Sequence, residues 1–285
     1  MRKIRDAGTR AGLTAAAIVA AVLCSAQAAL AKTTTSSNWA GFAVHHPGVS
    51  FRTVSGTWTQ PAASCIAGQS SYSAVWVGIG GFKPTSDALE QIGTEVDCNA
   101  AGKAVSSAWY ELVPAPSKTT SFVVHPGDVV HATVTVIDHQ VTLVLENRTR
   151  HRVFSKTLFA PSIDVSSAEW IVEAPSECIN QFACQALPLA DFGSVTFDSA
   201  STTSTKGTTG SILDPKWWRT TIRLTPGAER FILARQTSDS AGTATPSTLR
   251  SAGSQFDVTY STVPVAPQTF AGTPQSGLRA AYLEH

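Results

Sequence analysis

From His131 to Val136 the chain reads His-Ala-Thr-Val-Thr-Val, and alternation of this kind recurs along much of the sequence. A period of two sends successive side chains to opposite faces of an extended strand. Short runs rich in β-branched and aromatic residues lie at 51–58, 73–79, 105–113, 129–137, 140–146, 168–172, 194–197, 220–224 and 256–260. Gly, Pro, Ser and Asn separate them, and helical periodicity is nearly absent after the first 31 residues. The pattern predicts an all-β chain: an antiparallel β-sandwich of the jelly-roll or concanavalin-like kind. Asp138-His139 between two runs predicts a tight hairpin. The Ser/Thr/Gly-rich stretches 199–210 and 237–253 are expected to be long loops, because strand signals resume after each.

The N-terminus carries Arg2, Lys3, Arg5 and Arg10, then an apolar run, then Ala29-Leu30-Ala31 with small residues at the −3 and −1 positions of a cleavage site. This predicts a secretory signal peptide over 1–31 and a secreted, extracellular product. The apolar run falls short of the roughly 20 residues of a membrane-spanning helix. No second apolar segment follows, so no membrane contact is expected after cleavage. One β-sandwich domain is expected over 32–264, then a flexible tail over 265–285 rich in Pro, Gly and Ala.

Setting aside four basic residues and Asp6 in the signal leaves 17 basic against 19 acidic residues, a net charge of −2 with histidines neutral. That balance does not favour nucleic acid as a partner. A monomer is expected. Four cysteines remain, an even number that in an exported chain favours disulfides. Cys178 with Cys184 would close a short loop, and Cys65 with Cys98 would tie two loops beside Gln91; this is one of three possible pairings. The spacing does not suit zinc and no histidine flanks the cysteines, so neither a metal nor another cofactor is expected.

Two segments carry candidate chemistry. In 168–173 alternation puts Glu169, Ile171 and Glu173 on one face, with Trp170 and Val172 on the other. A solvated outer face would explain the two carboxylates equally well. In 105–113, Ser107, Trp109, Glu111 and Val113 share a face. Gln91, in Leu89-Glu90-Gln91-Ile92-Gly93, reads either as an ordinary edge-strand residue or as an amide donor for a developing oxyanion. It lies among Glu90, Glu95 and Asp97, a cluster in which at least one carboxyl pKa should rise. No Gly-x-Ser-x-Gly or His-Glu-x-x-His pattern occurs. His45-His46 falls in an expected loop, and His125, His131, His139 and His151 read as solvated or turn residues.

Six motifs occur in a shared order: Ser37-Asn38-Trp39-Ala40-Gly41, Trp76-Val77-Gly78-Ile79-Gly80-Gly81, Glu90-Gln91-Ile92-Gly93, Trp109-Tyr110-Glu111-Leu112-Val113-Pro114, Ala168-Glu169-Trp170-Ile171-Val172-Glu173 and Phe192-Gly193-Ser194-Val195-Thr196-Phe197. In this the chain resembles the glutamic peptidases (eqolisins, family G1). The resemblance implies a β-sandwich endopeptidase acting on proteins or peptides in acid, insensitive to pepstatin, with a Gln/Glu dyad. Matched by motif, Glu169 would be general base and then general acid on water, without a covalent intermediate, and Gln91 would stabilise the oxyanion. Trp39 and Trp76 would be groove walls, Glu111 a supporting acid and Glu173 a second acid on the same face, four residues from Glu169.

The chain departs from the fungal members at Gly80, where they carry Asp. The acid that follows the catalytic glutamine is either Glu95 or Asp97. Only about six residues separate the expected cleavage site from Ser37, so self-inhibition by a pro-segment is not expected. The competing readings are a carbohydrate-binding β-sandwich and a glycoside hydrolase using two carboxylates such as Glu111 and Glu169. Neither of these needs the Gln91 amide.

Overall fold

The computed structural model describes residues 31–180, 183–228 and 242–262. The expected signal peptide, apart from Ala31, and the expected tail lie outside them. The strands are β1 (Ala31–Ser36), β2 (Trp39–His45), β3 (Phe51–Thr59), β4 (Ser71–Gly80), β5 (Leu89–Cys98), β6 (Ala104–Val113), β7 (Lys118–Thr119), β8 (Val129–Ile137) and β9 (Gln140–Asn147). They continue with β10 (Arg152–Phe159), β11 (Ser167–Glu173), β12 (Ser176–Asn180), β13 (Ala183–Ala186), β14 (Ser194–Ser204), β15 (Thr209–Gly210), β16 (Trp218–Leu224), β17 (Gly242–Pro246) and β18 (Phe256–Thr262).

One long sheet runs β10-β9-β8-β3-β14-β18-β17-β16-β2-β11-β4-β5-β6-β7 and folds over on itself. Its first half, from β10 to β18, packs on the half that contains β2, β11, β4, β5 and β6. Between them lies a core built from the inward-facing positions of both halves, with Trp58, Trp170, Phe197 and Phe256 as its bulk. β-Branched and aromatic side chains fit this pleated, two-layered interior, and the expected antiparallel sandwich is what forms. The β8–β9 hairpin turns at Asp138, whose φ of 51° is a left-handed turn conformation.

Two loop expectations need correction. β14 runs on to Ser204 through the supposed loop at 199–210, and Thr209–Gly210 pairs back on it as β15. Thr202 is buried there and its hydroxyl donates to the Thr53 carbonyl at 2.7 Å, so a polar sequence is strand because its hydroxyls bond the ladder. Within 237–253, residues 242–246 form β17, paired with β18. Cys65 and Cys98 are joined as a disulfide, fastening the loop before β4 to the end of β5. The register of β12 and β13 sets Cys178 directly opposite Cys184.

Candidate active site

The second half of the sheet has a face turned away from the core. On β11 that face carries Glu169, Ile171 and Glu173, while Trp170 and Val172 enter the core, as alternation predicts. The solvated reading fails, because Glu169 is 0% and Glu173 8% exposed. A second apolar cluster, including Trp39, Trp76, Trp109 and Ile171, roofs this face, with Phe82 and Val113 packed against it.

Strand register aligns the polar groups. Glu169 pairs with Gly78, Gly78 with Gln91, and Gln91 with Glu111, one row across β11, β4, β5 and β6. Adjacent strands lie about 4.8 Å apart, so the Cα atoms of Glu169 and Gln91 are about 10 Å from each other. Gly78 between them has no side chain. A Cβ there would come within 2.9 Å of both Leu89 Cδ1 and Trp76 Cζ3 and 3.3 Å of Gln91 Cβ. Leu89 and Trp76 thus close over Gly78, which places no side chain of its own between Glu169 and Gln91. β5 is flanked by β4 and β6, so Gln91 is not an edge-strand residue.

Gln91 is 3% exposed, and its Nε2 donates to Glu111 Oε2 at 2.7 Å. A carboxylate accepts only, so Glu111 fixes which end of the amide is nitrogen and leaves the second N–H to point elsewhere. Neither oxygen of Glu169 has a hydrogen-bond partner among the described residues. Burial drives its pKa well above the ordinary carboxyl value; the Ser167 hydroxyl, near Glu169 without completing a hydrogen bond to it, opposes this, and the charges of Asp164 and Glu90 add to it. Such a carboxyl holds a proton that it can give up or take back when charge develops beside it.

Glu173 is differently placed. Asn38 Nδ2 and Trp76 Nε1 donate to its two oxygens, each at 2.8 Å, and the Ser36 hydroxyl in turn donates to Asn38. Trp39 and Trp76 meet edge-to-face at 5.0 Å and are fully buried, so they support the face from within rather than walling an open groove. Glu95 faces Ala74 and accepts from the Ser107 hydroxyl; Asp97 lies two residues further on, its pKa raised to about 7 by burial and by Glu95. The acid that bonds Gln91 is Glu111, not either of these. Glu90 faces the core side, fully buried, with its pKa pushed up to about 9 by burial and by Asp164. Within the cluster, then, Glu95 helps to raise Asp97, while Glu90 is raised by burial and by Asp164, which lies outside the cluster.

At Gly80, where the fungal proteins carry Asp, φ is +88° and a Cβ would come within 2.8 Å of the Asp164 Cβ and closer still to its backbone carbonyl. Asp164 fills that space. It accepts from Ser86 Oγ at 2.6 Å, the Ser166 N–H at 2.9 Å and the Gly81 N–H at 3.3 Å, and these bonds, against the effect of burial, hold its pKa low.

Sequence reasoning missed Gly78 as the spacer, Asp164 as a carboxylate behind the row, and His45. His45 ends β2 on the same face and bonds Thr220 Oγ1 at 3.1 Å, so it is not in a loop. His131 is a β8 residue bonded to Thr57 Oγ1 at 2.8 Å, not a turn residue. The signal for Gly78 was present, since it falls at the position of β4 that separates the two candidate strands, but cross-strand register cannot be read from one strand. Among the described residues no group of three or more potential ligands is placed to hold a metal ion, and no helix is long and apolar enough to cross a membrane.

The sequence model of the Peptidase A4 family matches residues 37–245, nearly three-quarters of the chain. Aspergillopepsin-2 of Aspergillus niger is 30% identical over 199 residues, covering 61% of this chain and 67% of its own length. Scytalido-glutamic peptidase, solved with a peptide-based transition state analogue, superimposes with a TM-score of 0.59 at 27% identity, covering 79% of this chain and 98% of the other. SCP-B, an eqolisin solved in complex with the tripeptide Ala-Ile-His, gives 0.55 at 26% identity over the same shares. Family match, fold and motif order agree: the chain belongs to the Peptidase A4 family, the G1 glutamic peptidases or eqolisins, and is an endopeptidase of that family.

Proposed function

We propose that the chain is a secreted, acid-acting endopeptidase in which Glu169 and Gln91 form the catalytic dyad. The observation that carries this reading is the row Glu169–Gly78–Gln91–Glu111, with a buried carboxyl that no hydrogen bond satisfies at one end and an oriented amide across a glycine from it. Glu169 takes a proton from the attacking water as it adds to the peptide carbonyl. The free N–H of Gln91 meets the oxyanion that forms on the carbonyl oxygen. Glu169 then returns the proton to the leaving amine, and the C–N bond breaks. Glu111 holds the Gln91 amide in place, and Glu173 holds β11 through Asn38 and Trp76. No covalent enzyme intermediate and no metal is required.

Burial holds the Glu169 proton to a pH at which an ordinary carboxyl has lost it. As the base Glu169 acts ionised, so it governs the rising, acid-side limb of the pH–rate profile, and burial moves that limb upward from the ordinary carboxyl range. The Cys65–Cys98 disulfide supports an exported protein, and the register of Cys178 and Cys184 supports a second bridge between them.

A two-carboxylate glycosidase is a poorer fit. Glu111 stands three strands from Glu169, about 14 Å at Cα, and its carboxylate is engaged by Gln91. The test is digestion of a denatured protein between pH 3 and 6 with pepstatin present. Cleavage is expected; a folded protein that cleaves nothing, or that pepstatin silences, overturns the reading.

A further inference from the structure

One pleat beyond Ala43, the β2 residue paired with Glu169, lies His45, about 7 Å further along the strand on the same face. Its ring stacks on Phe82 at 4.7 Å and 25°, and Trp218, directly opposite on β16, meets it edge-on at 6.0 Å. Thr220 Oγ1 fixes the Nε2 edge of the ring at 3.1 Å. His45, Phe82 and Trp218 are each only partly covered, whereas Glu169 and Gln91 are buried. These rings are the part of the face that an approaching chain meets in the open.

The geometry points to a substrate side-chain subsite formed by His45, Phe82, Trp218 and Lys83, whose occupant is an acidic residue of the peptide being cleaved. This rests on the peptidase reading above and adds a specificity to it. The rings offer flat apolar surface to the aliphatic stem of Asp or Glu, and the charge around them selects the carboxylate. Lys83, on the exposed loop next to Phe82, Lys32 from β1 and His46 at the strand end all act on His45, and with burial they lower its pKa. Every charged group acting on His45 among the described residues is thus a cation. His45 bonds β16 through the Thr220 hydroxyl, and its β11 neighbour is the uncharged Ser167. The ionised Asp164 carboxylate beside Gly81 is engaged by Ser86, Ser166 and the Gly81 N–H, so the cations around the rings are left to attract a substrate carboxylate and repel Lys or Arg.

The test uses two peptide series that differ only by Glu or Gln at each position around one scissile bond, assayed at pH 5.5, where a free Glu is ionised. The wild-type protein and Lys83→Glu are compared by the Glu/Gln ratio of kcat/KM, and thermal unfolding checks that the variant is folded. One position should favour Glu by about threefold to fivefold, the size expected of a partly exposed ion pair, and Lys83→Glu should bring that ratio to or below one. A wild-type ratio near one at every position, or a preference that survives Lys83→Glu, overturns the subsite. Failure of the wild type to cleave either series overturns the peptidase reading instead, and the subsite with it.

Discussion

Glu169 and Glu173 lie four residues apart on one face of the same strand, and both are buried, but their surroundings are opposite. Asn38 and Trp76 satisfy Glu173 with a 2.8 Å bond to each oxygen. Glu169 has no partner among the described residues, and its nearest neighbour in the row is a glycine. Burying a polar group without a partner costs stability, so a fold keeps such a group at a site where something else is to bind. The satisfied carboxyl ties β11 to the segment before β2 and to β4. The unsatisfied one is left for chemistry.

Replacing each residue in turn tests that contrast. Glu169→Gln should lower kcat by about 10⁴-fold, the upper range for general acid–base catalysis, without loss of thermal stability, since the amide carries no charge to desolvate. Gln91→Ala should lower kcat by about 10²–10³-fold with little change in KM, because its bond to the oxyanion forms only in the transition state. Glu173→Ala should act mainly on stability. Leaving Asn38 and Trp76 unpaired should cost about 3 kcal/mol in urea unfolding, and refolded protein should keep measurable turnover. A Glu173→Ala protein that is fully stable and wholly inactive would reverse the two roles.

A smaller effect concerns pH and stability. Glu90 keeps its proton in the fold up to about 9 and Asp97 up to about 7, whereas unfolded carboxyls lose theirs near 4.5 and 3.8. Between these values the native state binds more protons than the unfolded one, so stability falls as pH rises. Asp128 and Asp164, with lowered pKa values, act in the other direction, and their contribution is lost below 3.8. The melting temperature should therefore peak near pH 4 and decline through pH 8. Glu90→Gln should flatten the decline, which scanning calorimetry across that range would measure.

The nine runs read as strands all lie within strands of the fold: β8 and β9 alternate because one face lies in the core, whereas β4 and β11 are buried on both faces and were legible by their β-branched and aromatic residues. β5 was not among these runs, though Gln91 was weighed as an edge-strand residue. Its outer face carries Gln91, Gly93 and Glu95, which supply no apolar period. β10 was missed because it is an exposed edge, with Val153 66% and Phe159 64% exposed and no buried face to leave a pattern. The acids were legible as residues, and alternation placed Glu169 and Glu173 together. Whether they faced water or protein was not legible, since that depends on the Trp39, Trp76 and Trp109 cluster assembled from six strands. The Gln91–Glu111 hydrogen bond depends on the register of β5 against β6, which no single segment encodes.

The most direct measurement is single-turnover cleavage of one peptide by wild type, Glu169→Gln and Glu173→Gln, each shown to be folded by its thermal transition. The account predicts that Glu169→Gln is folded and does not turn over, while Glu173→Gln cleaves at a rate within about tenfold of wild type. Cleavage by Glu169→Gln near the wild-type rate, or its absence in Glu173→Gln alone, would contradict the assignment of Glu169 as the residue that moves the proton.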